Sequence, residues 1–141
     1  MNVASLLHRE PETLPASASC AQAARRMRDA GVGSVIVAED ERPIGVVTDR
    51  DLAVRVLAER IDPERTTLAQ IMSPRPIFVS EDADLASVVE LMRDLSVRRI
   101  PVIDARRKLC GVVALDDVVL ALVQQLGAVA DAIRKGSCPA R

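Results

Sequence analysis

The chain has 141 residues, of which 49% are hydrophobic, enough for one compact domain or for two very small ones that share a core. Its 19 basic and 20 acidic side chains nearly cancel, so no overall charge draws it to nucleic acid or to an anionic membrane. Phe78 is the only aromatic residue, which also excludes a stacking platform for single-stranded bases. No apolar run approaches the roughly 20 residues of a membrane span, and the first residues lack the layout of a signal peptide. These features predict a cytoplasmic protein that binds neither nucleic acid nor a membrane.

Cysteine and histidine are too few and too scattered for the common catalytic or metal-binding arrangements. The three cysteines, Cys20, Cys110 and Cys138, are far apart and form no C-x-x-C pair, which suggests a reducing compartment. A Ser-His-Asp triad or a zinc site would need the single histidine, His8, and the partners of such sites are missing. We therefore expect His8 to be an ordinary surface residue, and we predict no catalytic residue, no metal site and no enzyme activity.

The predicted elements occur twice in the same order along the chain. In the first half they are an extended piece at residues 13–15, a helix at 20–30, strands at 34–38 and 44–48, and a helix that begins after the octet GVVTDRDL at 45–52. In the second half they are an extended piece at 77–79, a helix at 85–95, strands at 99–103 and 109–114, and a helix after the octet GVVALDDV at 111–118. Polar segments, SAS and EDAD, precede the first helix of each half and can cap it. Between the halves, we predict an ordered linker with one or two helical turns that Thr67 caps.

A tandem repeat explains this recurring order. An offset of 65 aligns residues 6–37 with 71–102, and one inserted residue near Lys108 raises the offset to 66, so that the two octets also align. We divide the chain into a first repeat at 1–62, which includes the N-terminal segment, a linker at 63–75, a second repeat at 76–135 and a tail at 136–141. About 60 residues bury too little apolar surface to be stable alone, so we expect the repeats to pack as pseudo-twofold mates.

Five stretches carry a family resemblance: VGSVIVAED and GVVTDRDL in the first half, and IMSPRPIFV, VRRIPVID and GVVALDDV in the second. With them the chain resembles a pair of cystathionine-β-synthase-type domains, called a CBS pair or Bateman module, over residues 6–123. It looks like the stand-alone bacterial type, in which the pair is the whole protein and no catalytic domain is attached. The resemblance implies an α+β fold of two β-α-β-β-α repeats packed sheet to sheet as one module. It also implies an adenosine-containing ligand (AMP, ADP, ATP, S-adenosylmethionine or NAD) in a cleft between the sheets, a homodimer, and an unknown downstream protein partner.

Two interpretations of the octet at 45–52 stay open. Thr48 and Asp51 suit a capping box, in which each side chain accepts a hydrogen bond from the backbone N–H of the other residue. The same helix start offers N–H groups to a phosphate, and a nearby carboxylate can accept both ribose hydroxyls. The resemblance assigns the ribose to Asp51, and ribose or phosphate to Thr48. In the second repeat Asp117 keeps the carboxylate but Ala114 replaces the threonine, so we expect the first ligand to bind at Thr48 and Asp51, unless arginines of the second repeat decide otherwise.

Arg98 and Arg99 are candidate phosphate ligands. They begin the strand VRRIPVID, where the resembled family often has a basic pair that faces the central cleft, and two guanidinium groups can hold a phosphate with forked hydrogen bonds. The alternative is that both are solvated edge charges or pair with Asp94 or Asp104. The family also forms a base pocket from backbone and aliphatic groups, and the matching positions here are Thr13, Val32, Gly33, Ser34, Ile77 and Val97.

Three functions are compatible with the sequence. Retention of Thr48, Asp51, Asp117 and the arginine pair favours a regulatory module that senses an adenine nucleotide. The second is a protein-interaction or dimerisation module that binds no ligand. An enzyme is the least favoured, since no nucleophile and base occur together and no Gly-rich phosphate loop is present. Residues 118–133, VVLALVQQLGAVADAI, are apolar around more of a helix than one core-facing stripe requires, which predicts burial of this surface in a homodimer.

Overall fold

The computed structural model of the protein describes residues 2–7, 10–74 and 76–136. His8, Cys138 and most of the tail at 136–141 lie outside these ranges. The elements of the first half are a 3-10 helix at Val3–Leu6, β1 (Thr13–Leu14), α1 (Cys20–Ala30), β2 (Ser34–Glu39), β3 (Arg42–Thr48) and α2 (Asp49–Leu52), which continues as a π-helix at Ala53–Leu57. Those that follow are α3 (Leu68–Ile71), β4 (Ser73–Pro74), β5 (Val79–Ser80), α4 (Leu85–Leu95), β6 (Arg99–Ile103), β7 (Leu109–Ala114) and α5 (Leu115–Gly136).

The ends of α1 and α4 follow from capping residues that are visible in the sequence. At the start of α1, the Ser19 hydroxyl accepts from the N–H of Gln22 at 3.1 Å, and the Gln22 side chain accepts from the N–H of Ser19 at 2.8 Å. Gly31 ends this helix with a φ of 65°, a left-handed conformation that glycine adopts without strain. Asp84 caps α4 in a similar way, because its carboxylate accepts from the N–H of Ala86 at 3.1 Å.

Each half forms its own small mixed sheet. In the first, β1 is parallel to β2, and β2, β3 and β4 pair antiparallel in the order β1-β2-β3-β4. In the second, β5 is parallel to β6 and β6 is antiparallel to β7. The predicted α+β fold with two β-α-β-β-α repeats is therefore confirmed.

Every sheet covers a separate hydrophobic core. The first core is centred on Val35, Val37 and Val47, and the second on Ile100, Val102 and Val113, all of which are 1% exposed or less. The paired strands place alternate side chains on the core side, as a half-buried sheet requires.

The segment that leads into each repeat packs into the core of the other repeat. Leu68 and Ile71 of α3, just before the second repeat, are buried in the first core. Val3 and Leu6, which align with them at the offset of 65, are buried in the second core. The N-terminal segment therefore packs with the second repeat, although the sequence-based division grouped it with the first. The reason is that the second core needs the apolar surface that α3 supplies to the first.

Matching backbone contacts hold the two exchanged segments. The N–H of Leu68 donates to the carbonyl of Ala18 at 2.9 Å, and the N–H of Val3 donates to the carbonyl of Ala83 at 3.1 Å. A glycine in β3 and a glycine in β7 then leave room for the next side chain of each segment, so Met72 packs on Gly45 and Leu7 packs on Gly111. These contacts fix each leading segment on the other repeat.

Several local expectations differ from the structure. Ile77 lies outside the strands, because parallel pairing with β6 begins only at Val79. Strand β4 was not predicted, since its two residues gain strand geometry only by pairing with Gly45 and Val46. The last helix of the first half changes from α-helix to π-helix at Ala53. Within the described ranges, no helix combines the length and the hydropathy needed to cross a membrane.

Gly45→Ala should destabilise the fold. A Cβ atom at this position would lie 2.9 Å from Met72 Cγ, closer than real side chains approach, so Met72 or the strand must shift. We expect a loss of about 1 to 3 kcal/mol in the free energy of unfolding, measured by urea denaturation. The matched control is Gly127→Ala in α5, where a Cβ atom meets nothing within 4 Å and alanine should add about 0.5 to 1 kcal/mol through helix propensity. Equal stability of the two variants would contradict the close contact at Gly45.

Candidate functional site

A cavity of about 380 Å³ lies between the two repeats. Its volume falls within the range of about 300 to 1,000 Å³ that small-molecule sites occupy. The first repeat and its leading segment contribute Glu10, Pro11, Glu12, Ala30, Val32, Ser34, Ile36 and Val46. The second repeat contributes Ile77, Val97, Arg99, Ile100, Pro101, Val112, Ala114, Asp116 and Asp117.

The lining of this cleft follows the internal repeat. Five pseudo-equivalent pairs line it: Glu12 with Ile77, Val32 with Val97, Ser34 with Arg99, Ile36 with Pro101, and Val46 with Val112. The cleft thus lies across the pseudo-twofold relation between the sheets, and its walls are mainly aliphatic. Such walls can hold the faces of a flat heterocycle without an aromatic side chain.

The pseudo-symmetry of the lining ends within the two octets, after Val46 and Val112. Ala114, Asp116 and Asp117 of the second octet line the cleft, whereas Thr48 and Asp51 of the first do not. The expected ligand residues Thr48 and Asp51 are therefore separated from the cavity, and their counterparts in the second repeat are at its wall.

Asp51 has hydrogen-bond and ion-pair partners within the first repeat. Its N–H donates to Thr48 Oγ1 at 3.1 Å, and its Oδ2 accepts from the N–H of Thr48 at 2.9 Å, which confirms the capping box. Arg55 lies 3.7 Å from the other carboxylate oxygen of Asp51 and also donates to the carbonyl of Ile71 at 2.5 Å. Both oxygens of Asp51 thus have partners within the protein.

Asp117 and Arg99 have no such partners. Ala114 has no hydroxyl to complete a capping box with Asp117, and in the described part of the chain neither Asp117 nor Arg99 makes a side-chain hydrogen bond or an ion pair. An unpaired carboxylate and an unpaired guanidinium therefore line the same apolar cleft. This combination can bind hydroxyls at one point and an anion at another.

The expectation that both arginines face the cleft is wrong for Arg98. Its guanidinium donates to Asp116 at 2.7 Å in a pair whose side chains are 74% and 72% exposed. Consecutive residues at a strand start point to opposite sides, so only Arg99 lines the cavity. The alternative pairing of these arginines with Asp94 or Asp104 is also wrong, since Asp94 pairs with Arg93, and Asp104 accepts from two backbone N–H groups.

The predicted base-pocket residues divide between two places. Val32, Ser34, Ile77 and Val97 line the cleft, but Thr13 lines a second cavity of about 460 Å³ beside β1. Gly33 lies outside both linings, and a Cβ atom there would be 3.2 Å from the carboxylate of Asp49.

Sequence reasoning missed three acidic residues of the lining, Glu10, Glu12 and Asp116. Glu12 is fixed in place, because its carboxylate accepts from Arg26 at 3.1 Å and its carbonyl accepts from the N–H of Ile36 at 2.8 Å. Its alignment with Ile77, which was itself a site candidate, was the signal that could have found it.

Neither described cysteine offers a reactive thiolate. Burial raises the pKa of the Cys20 thiol. Partial desolvation also raises the pKa of Cys110, and the nearby carboxylates of Glu81 and Asp104 raise it further. In the ranges that the structure describes, no three His, Cys, Asp or Glu side chains form a cluster suited to a metal ion.

Comparison with known proteins gives the family. The family model described as "CBS domain" matches twice, over residues 3–58 and 68–124. The chain belongs to the CBS-domain family. It carries two CBS repeats in tandem, as its internal alignment and its two sheets require.

Relatives and solved structures extend this assignment. The CBS protein is 42% identical to YlbB of Bacillus subtilis over 101 residues, which are 70% of this chain and 67% of YlbB. It is 33% identical to MK0525 of Methanopyrus kandleri over 120 residues, 84% of this chain, and spans only 61% of that protein. The CBS domain protein PAE2072 from Pyrobaculum aerophilum, solved in complex with AMP, matches with a TM-score of 0.77 and 26% identity over 91% of this chain and 99% of that one.

The two octet aspartates should differ in their effect on stability. Asp51→Ala removes a charged acceptor from the Thr48 N–H, so we expect the free energy of unfolding to fall by about 1 to 2 kcal/mol. Asp117→Ala removes no side-chain hydrogen bond to any described residue and should change the free energy of unfolding by no more than about 0.5 kcal/mol. Urea denaturation of both variants without ligand tests this, and a larger loss for Asp117→Ala would show that Asp117 is the structural residue.

Proposed function

We propose that the protein is a regulatory module that binds an adenosine-containing ligand in the cleft between its CBS repeats. The observation that carries this proposal is the pair of unpartnered charges, Asp117 and Arg99, in one mainly aliphatic cleft. Arg99 is exposed and Asp117 is partly exposed, so in the ligand-free cleft water solvates both charges and a ligand can replace that water. The AMP complex of PAE2072 supports an adenosine ligand for a protein of the same family and fold.

Each group of the cleft has a role in this proposal. The carboxylate of Asp117 accepts hydrogen bonds from the two ribose hydroxyls. Arg99 binds the 5′-phosphate with its forked N–H groups, and Ser34, its pseudo-equivalent, leaves room beside it. The aliphatic side chains Val32, Val97 and Ile77 pack against the base.

The proposed first binding site thus moves from Asp51 to Asp117. The sequence favoured Asp51 because Thr48 adds a hydroxyl there. In the structure that hydroxyl and the Asp51 carboxylate satisfy the backbone of α2, and neither lines the cleft. The missing hydroxyl at Ala114 leaves Asp117 free to accept a ligand.

Calorimetry with AMP tests the assignment. Asp117→Ala should weaken AMP binding by 10-fold to 100-fold, or about 1.4 to 2.8 kcal/mol, because a charged acceptor for two hydroxyls is lost. Arg99→Ala should weaken AMP binding to a similar degree and adenosine binding much less, since its partner is the phosphate. Asp51→Ala, measured at a temperature at which that variant is folded, is the matched control and should leave the first binding event nearly intact. Loss of AMP binding in Asp51→Ala alone would return the site to the first repeat.

A specific observation also supports an assembly function. Helix α5 exposes Leu120, Val123 and Leu126 to 61%, 59% and 69%, and the π-helix exposes Leu57 to 76%. Large apolar side chains exposed along one helix, as on α5, commonly mark a protein interface. We propose a second copy of the chain as its partner, in keeping with the homodimer that the sequence predicted.

Leu126→Glu should disrupt this homodimer, because it places a charge in a desolvated interface. Sedimentation at micromolar concentration should show a dimer for the parent protein and a monomer for the variant. Gln125→Glu is the matched control, since it adds the same charge to the neighbouring position of α5. A monomeric parent would contradict the proposed assembly. A dimer that no adenosine compound stabilises against heat would favour the interaction module without ligand binding.

A further inference from the structure

The cleft offers few unpaired cations to a polyphosphate. Among the described residues, four carboxylates line it, from Glu10, Glu12, Asp116 and Asp117, against one lining cation, Arg99. Two arginines outside the lining neutralise two of these acids, Arg26 through Glu12 at 3.1 Å and Arg98 through Asp116 at 2.7 Å. With both arginines counted, these described charged groups carry a formal surplus of one negative charge.

The two neutralised acids keep their arginines from binding a phosphate. Arg26 is also directed toward the carbonyl of Thr13 at 3.4 Å, and the side chain of Arg98 is 74% exposed. Arg99 is therefore the one arginine of this group without a carboxylate partner in the described chain. A guanidinium binds one phosphate group well through two parallel hydrogen bonds, and a di- or triphosphate needs further cations or a metal ion.

A longer phosphate chain would also meet like charge. AMP carries about 1.5 to 2 negative charges at neutral pH, which Arg99 can largely balance, and every further phosphate adds at least one. Glu10 has no ion-pair partner among the described residues and lines the same cleft. Carboxylates next to phosphate oxygens repel them, and because Glu10 is exposed this repulsion is strongest at low ionic strength.

We infer, on the basis of the function proposed above, that the cleft selects adenosine compounds with no more than one phosphate and rejects ADP and ATP. Glu10 is the specificity-determining side chain, because it supplies the surplus negative charge, and Glu12 assists by holding Arg26 in an ion pair. Glu12 aligns with Ile77, and Glu10 aligns with an arginine in the sequence. The discrimination is thus a property of the segment that leads into the first repeat.

Calorimetric titration with adenosine, AMP, ADP and ATP tests this inference at fixed ionic strength in the presence of EDTA, which removes metal ions that could bridge phosphate and carboxylate. AMP should bind at least tenfold more tightly than ATP, with ADP between them. In Glu10→Lys the ratio of ATP affinity to adenosine affinity should rise at least tenfold. Glu90→Lys, at an exposed position of α4, makes the same change in net charge and should leave that ratio unchanged.

The possible results separate the two proposals. If ATP binds the parent protein as tightly as AMP, or if Glu10→Lys leaves the ratio unchanged, charge selection is overturned. The ligand-binding function then still stands, provided that Asp117→Ala weakens binding. If none of the four compounds binds, both the function and the selection are overturned.

Discussion

Two small cores that are completed by each other's leading segments determine the rest of this structure. A unit of about 60 residues buries too little apolar surface to be stable alone. Leu68 and Ile71 reach zero and 6% exposure in the first core, and Val3 and Leu6 reach zero and 5% in the second. Since each core lacks part of its apolar surface without the other repeat's segment, folding of one repeat depends on the other. The cleft between the sheets exists because this exchange holds them together.

The same exchange gives the cleft its uneven chemistry. Residues 10–12 join the N-terminal 3-10 helix, in the second core, to β1, in the first sheet, and so they pass the cleft wall. The acidic side chains of this segment have no acidic equivalents in the second repeat, where, for example, Ile77 occupies the position that aligns with Glu12. One hydroxyl makes a second difference. Thr48 and Asp51 form a capping box, whereas Ala114 has no hydroxyl to form one with Asp117. Of the two octet aspartates, only Asp117 therefore lies at the cavity wall without a side-chain partner among the described residues.

Local signals in the sequence were sufficient for most of the fold. Ser19 and Gly31 define the ends of α1 by short-range hydrogen bonding and backbone conformation, so its bounds were predictable. The alignment of the repeats then predicted the bounds of α4, β6 and β7. Strand β4 was not predictable, because two residues have no periodicity and depend on Gly45 and Val46 for their pairing. The direction of Arg98 depends on Asp116 at the start of α5, 18 residues away, and no local pattern shows that contact. The sequence thus predicted part of the cleft lining, with Arg99 and Asp117 among it, and the assignment of the ligand to one of the two octets stays a proposal.

A reciprocal exchange of equivalent segments is also the geometry of a swapped dimer, in which two identical subunits trade an arm. In this chain the stretch at 63–75 covalently joins the two partners, so their association is intramolecular and has an effective concentration of about millimolar or more. The cleft therefore stays assembled however far the protein is diluted. Any concentration dependence of ligand binding must arise from contacts between whole chains, outside the pair of sheets that forms the cleft.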